Sequence, residues 1–143
     1  MNERTLRVGI IGCGKIAHIH AAVREIPGAT LVACCDADLP RAGAFAREFG
    51  IEFATSDLET FFSRGRLDVA LVCTPHPVHE KLVVACAKAG VNVLCEKPIA
   101  IRLDEADRMI AATAAAGVAF GVIFQRRFWP ASQRLRRAID DGL

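Results

Sequence analysis

An open, doubly wound α/β unit on a parallel sheet is the fold this sequence predicts, and three observations carry it. Apolar runs of strand length alternate with stretches of helical periodicity, a pattern that repeats about five times. The run Val69 to Cys73 is apolar throughout, as a strand covered on both faces must be. Polar or glycine-containing clusters follow the runs directly, at the end where open α/β sheets bind their ligands. The 143 residues make one domain of ordinary size, and 52% hydrophobic against 24% charged residues is enough for a large core and excludes disorder.

Leu6 to Ile11 is the first expected strand, and after Gly12-Cys13-Gly14 a helix is expected to run to Ile26, closed by Pro27-Gly28. Thr30 to Cys35 is the next strand. Asp38 is placed to cap a helix with Pro40 in its first turn, where a missing N–H costs nothing, and Gly50 ends it. A short connection leads to Asp57, the expected cap of a helix over Leu58 to Ser63. After the strand Val69 to Cys73, Pro77 opens a helix that ends at Gly90. Val91 to Cys95 is another strand. Asp104 to Ala116 is a helix with Ala106, Met109, Ile110 and Thr113 on one face, stopped by Gly117. Val118 to Phe124 is the last strand, and a final helix spans Pro130 to Asp141. One domain over residues 1–143, without linker or repeat, accounts for the chain.

Charge and composition exclude several functions. Eighteen basic and sixteen acidic residues leave a net charge of +2, with the signs interspersed until the arginines of the last twenty residues, so nothing calls for nucleic acid. The longest stretch free of charged and amide residues, Met109 to Phe124, has 16 residues and two glycines, short of the ~18 to 20 that a membrane span needs. The start, Met1-Asn2-Glu3-Arg4-Thr5, carries no export signal. Six cysteines form no C-x-x-C pair and sit in apolar runs, which points to buried reduced thiols, a cytoplasmic location and no metal site.

The chemistry begins at Gly12-Cys13-Gly14-Lys15-Ile16-Ala17, a G-x-G-x-x-A sequence between an expected strand and an expected helix. The first glycine permits the tight turn, the second lets backbone approach a pyrophosphate, and the small third residue lets helix and strand pack closely. The pattern alone also fits a turn of no function. Asp36 lies 22 residues beyond Gly14 at a strand end, where a carboxylate accepts hydrogen bonds from both ribose hydroxyls of an adenosine. Together they point to a dinucleotide, with NAD favoured over NADP because Asp36 repels a 2′-phosphate, although Arg41 nearby softens that preference. Thr74-Pro75-His76, Glu96-Lys97-Pro98 and Gln125-Arg126-Arg127 follow the later strands and extend the same sheet edge into a cleft floor. His18 and His20 are expected in surface or packing roles. His76 is open between a helix cap and a ligand contact.

Gly12-Cys13-Gly14-Lys15-Ile16-Ala17, Cys73-Thr74-Pro75 with His79, and Cys95-Glu96-Lys97-Pro98 together resemble the Gfo/Idh/MocA family, named for glucose-fructose oxidoreductase, inositol dehydrogenase and a rhizopine-catabolism protein. The likeness covers essentially the whole chain and implies a Rossmann domain. It implies that Lys97 lies beside the nicotinamide and the reacting hydroxyl, and that Pro98 follows a cis bond. The implied dinucleotide residues are Gly12, Gly14, Ile16, Asp36, Thr74, His79 and Glu96, joined by Lys15, Pro75 and Lys97. Gln125 stands where many members have asparagine. The implied reaction is reversible hydride transfer between NAD and a carbinol carbon of a sugar, cyclitol or related polyol. The resemblance further implies a second α/β domain that supplies a histidine acid-base group and a homo-oligomer interface, so residues 1–143 alone are expected to bind dinucleotide without useful turnover. Two alternatives stay open: a dinucleotide sensor with no catalytic role, and an S-adenosylmethionine methyltransferase.

Overall fold

The computed structural model describes residues 4–143; the reading of the N-terminus as free of an export signal rests in part on residues 1–3, which lie outside them. Six parallel strands form one sheet in the order β3-β2-β1-β4-β5-β6, with β1 at Leu6–Ile11, β2 at Ala29–Cys35, β3 at Phe53–Thr55, β4 at Val69–Val72, β5 at Asn92–Glu96 and β6 at Phe120–Ile123. The chain runs from β1 out to β3, then crosses back to β4 beside β1 and proceeds to β6. All six carboxyl ends therefore lie on one edge, and the order reverses between β1 and β4. The register fixes that edge: Ile11 is opposite Cys35 and Val72, and Val72 is opposite Cys95.

Alternation along the strands builds two cores. Val8, Ile10, Cys34 and Leu71 pack under α1 (Lys15–His20) and α2 (Leu39–Phe49), which contribute Ala17, Ala42 and Phe45. Ile11, Val32, Val72, Val93 and Cys95 face α3 (Leu58–Gly65), α4 (His79–Lys88) and α5 (Leu103–Ala116), which contribute Phe61, Val83, Cys86 and Met109. Phe45 and Phe61 are fully buried, each contributing about 1.5–3 kcal/mol of transfer free energy. Phe61 lies across Gly9, where a β-carbon would come within 2.6 Å of its ring. Coverage thins toward the far edge, where Leu94 is exposed and all of β6 is partly so. The last helix, α6 (Pro130–Asp140), has no buried residue.

Side-chain caps fix the starts of α2 and α3. Asp38 accepts the Arg41 N–H at 3.1 Å and Asp57 accepts the Thr60 N–H at 2.7 Å, as the sequence predicts. Five expectations are corrected. The first helix is α-helical only to His20 and tightens into a 3₁₀ segment, Ala21–Glu25. The connection after Gly50 contains the strand β3, three residues too short to show a period. Pro77 sits in a 3₁₀ turn, His76–Val78, and the α-helix starts at His79; His76 makes no capping bond. α5 starts at Leu103 rather than at Asp104, its first turn held by Glu105, whose carboxylate accepts the Ile101 and Arg102 N–H groups. Ile110 does not share the buried face of Met109 and Thr113 but is 53% exposed.

Candidate active site

A cavity of about 450 Å³ opens at the carboxyl edge over β1, β2 and β4, at the point where the strand order reverses. Gly12, Gly14, Asp36, Thr74 and Pro75 line it, as do Arg41, Leu58, Val78 and Lys81.

The glycine turn shapes its floor. Gly12 has φ +90°, and a β-carbon there would meet Thr74 Cγ2 at 2.7 Å and the Cys73 carbonyl carbon at 2.9 Å, so only glycine lets β1 turn this close to the end of β4. Gly14 differs: nothing lies within 4 Å of where its β-carbon would be, and it opens onto the cavity. Beyond it the Ala17 N–H bonds back to the Gly14 carbonyl at 3.0 Å, and the N–H groups of Lys15 and Ile16 ahead of it remain as first-turn donors for an anion. Lys15 is exposed beside them, while Ile16 packs against the core.

Asp36, buried at the end of β2, ties the turn together by accepting the Cys13 N–H at 2.8 Å, the Asp38 N–H at 2.9 Å and the Arg41 guanidinium at 2.7 and 2.9 Å. Burial works to raise its carboxyl, and the bonds from Arg41 and the two backbone donors outweigh that and hold it below the usual carboxylate range. Across the cavity, Thr74 Oγ1 is buried without a hydrogen-bond partner. An unpaired buried hydroxyl is uncommon and calls for an external partner. Gly14 with its open place, Thr74 with its orphaned hydroxyl and Asp36 with its carboxylate line one cavity, a donor and acceptor set that fits a dinucleotide.

The other sequence-predicted residues form the neighbouring part of the edge. Glu96 ends β5 with its carboxylate inside: Oε1 lies 2.6 Å from His20 Nε2, and Oε2 accepts the Lys97 N–H at 3.0 Å. Lys97 is exposed and precedes a cis bond to Pro98. His79 is fully buried, its ring nitrogens each 3.0 Å from a carbonyl, Nδ1 from Pro98 and Nε2 from Thr74. It thus joins the loops after β4 and β5 from beneath. Gln125 is exposed in a 3₁₀ turn beyond β6. His18 packs edge-on against Phe45 and Phe49, as expected of a packing residue. His20 has a fuller part, which residue spacing did not reveal because its partner lies at the end of a distant strand. The cavity walls Leu58, Val78 and Lys81 were also missed; only their places just after strand ends pointed to them.

Comparison with known proteins bears on what this edge is for. Residues 6–124 match the model of an oxidoreductase family with an NAD-binding Rossmann fold. The chain is 42% identical over 135 residues to D-apiose dehydrogenase of Paraburkholderia graminis, covering 93% of this chain and 36% of that protein. It is 37% identical over 138 residues to myo-inositol 2-dehydrogenase of Thermotoga maritima, covering 96% and 41%. Among solved structures it superposes on the WlbA dehydrogenase of Bordetella pertussis, in complex with NADH and UDP-GlcNAcA, with a TM-score of 0.91 and 33% identity, covering 97% of this chain and 43% of that one. The chain thus spans about 40% of the length of such relatives. No helix of the described residues is long and apolar enough to cross a membrane. These matches remove the methyltransferase alternative, and the chain belongs to the Gfo/Idh/MocA oxidoreductases, whose NAD-binding Rossmann fold it forms.

Proposed function

We propose that the cavity binds NAD, and that this domain serves hydride transfer between the nicotinamide and a carbinol carbon of a sugar, cyclitol or related polyol. The observation that carries the reading is one cavity lined together by Thr74, whose hydroxyl is buried and unpartnered, by Asp36 and by the open place at Gly14. The substrate class draws on the relatives, which are named as apiose and inositol dehydrogenases.

The cofactor, when bound, supplies the hydride acceptor or donor. Gly12 and Gly14 admit the pyrophosphate to the backbone donors of α1, joined by Lys15 and Ile16, and Asp36 accepts the ribose hydroxyls. Thr74, Pro75 and the loops held by His79 border the path toward the nicotinamide, where Glu96, Lys97 and Gln125 stand. Lys97 holds the reacting oxygen and moves its proton as alcohol becomes carbonyl. We propose that in the whole protein a further domain covers this edge and that the protein is a homo-oligomer, in a cytoplasmic location with which six buried free thiols are in keeping.

Calorimetric titration of NAD tests the reading directly. Binding with Kd below about 1 mM, the upper end of ordinary cofactor and substrate affinities, is expected; absence of binding by either NAD or NADP defeats it. Thr74→Val removes a hydroxyl that has no partner in the free protein, so it is expected to keep Tm and to weaken NAD about 3- to 10-fold, the size of one hydrogen bond.

A further inference from the structure

Asp36 is saturated. Its Oδ1 accepts from Asp38 N and Arg41 Nη2, and its Oδ2 from Cys13 N and Arg41 Nε. A carboxylate offers about four lone-pair sites, so none is left for a ribose hydroxyl. Two of the donors are backbone groups fixed by the glycine turn and by the start of α2, and they cannot withdraw without undoing those elements. Arg41 can: its side chain is 51% exposed against 6% for Asp36, and Asp38 Oδ2 stands 3.6 Å from its Nη1, ready to hold it at the rim. The diol of a bound NAD and the guanidinium of Arg41 therefore compete for the same two oxygens.

We propose that Arg41 is a specificity-determining residue for the dinucleotide: it occupies the diol's acceptors on Asp36 in the free protein, is turned aside by NAD, and receives the 2′-phosphate of NADP. This rests on the reading of the cavity as a dinucleotide site. The two cofactors then feel Arg41 with opposite sign. NAD must break a bidentate ion pair before Asp36 accepts its hydroxyls. NADP brings a dianion that Asp36 repels and that the freed guanidinium, a planar fork matched to phosphate oxygens, attracts. Lys81 lines the same cavity, so its charged walls are two cations and one carboxylate. The preference for NAD set by Asp36 is thereby narrowed by its own ion-pair partner.

The test is calorimetric titration of NAD and NADP into the chain and its Arg41→Ala and Arg41→Lys variants at fixed ionic strength, with thermal unfolding as a fold control. Arg41→Ala is expected to tighten NAD about 3- to 10-fold and weaken NADP about tenfold, as the gain or loss of one charge-assisted hydrogen bond implies. Arg41→Lys keeps the charge without the fork, so it is expected to tighten NAD while losing less NADP affinity than Arg41→Ala. Unchanged affinities, or affinities for both cofactors moving together by the same factor in the folded variants, overturn the proposal while leaving the dinucleotide reading intact. A parent chain that binds neither cofactor overturns both.

Discussion

His20 Nε2 lies 2.6 Å from Glu96 Oε1, so the last residue of α1 is fastened to the end of β5 across the sheet edge. Both side chains are largely buried, 17% and 6% exposed. Because Glu96 also accepts the Lys97 N–H, the contact ties the helix after the glycine turn to the loop that carries Lys97. His20→Ala leaves a buried carboxylate oxygen without its donor and is expected to destabilise the chain by about 1–3 kcal/mol. His20→Gln, whose amide can donate, is expected to recover part of that loss. Urea unfolding of the three proteins checks both statements; equal midpoints refute them.

The two glycines of the turn are expected to separate stability from binding. Gly12→Ala places a methyl against Thr74 and the Cys73 backbone at positive φ, and should cost more than about 1 kcal/mol of stability as well as cofactor affinity. Gly14 has an ordinary φ of −82° and open space at its β-carbon, so Gly14→Ala should fold with an unchanged Tm while losing at least about tenfold in NAD affinity, roughly the 1.4 kcal/mol of a displaced anion contact. Thermal melts and titrations on both variants decide the matter.

Lys97 is expected to serve chemistry rather than affinity. It is exposed beyond β5 and does not line the cavity over β1, β2 and β4. Lys97→Ala should leave dinucleotide Kd within about twofold, and should lower kcat by about 10² to 10⁴ in the polypeptide that turns over substrate, the usual loss for one positioned acid-base group. A variant with near-normal kcat removes Lys97 from the reaction.

Burial pushes the Cys73, Cys86 and Cys95 thiols up to about 12, and that of Cys35 to about 11, from an ordinary value of 9.0. All six thiols are free and buried, so none should react with a thiol-specific reagent at pH 7.5 until denaturant is added. The raised values also set a sign. Between pH 9 and 12 the unfolded chain binds fewer protons than the folded one, so the thiol contribution to stability is full below 9 and lost as pH rises through that window. Counting labelled thiols and following Tm from pH 8 to 11 tests both; rapid labelling of the native protein contradicts the buried arrangement.

Much of the architecture was legible in the residues because its causes are local. A strand covered on both faces needs an unbroken apolar run, a helix needs a cap within three residues, and a tight turn needs a glycine where φ is positive, so Val69 to Cys73, Asp57 and Gly12 announce themselves. Parallel strands then oblige every run to end on the same edge, which is why Gly14, Asp36, Thr74 and Lys97 were already expected along one edge. Tertiary structure decided what depends on partners far along the chain. β3 exists only because Ala33 to Cys35 offer it a ladder. Facing of side chains at strand ends is set by packing across the sheet, so His79 went under the loops and His20 found Glu96. The state of Asp36 was likewise decided in space: spacing marked a carboxylate for a ribose, but only the fold filled all its acceptor sites, because the start of α2 brings the Arg41 guanidinium within 3 Å of both its oxygens.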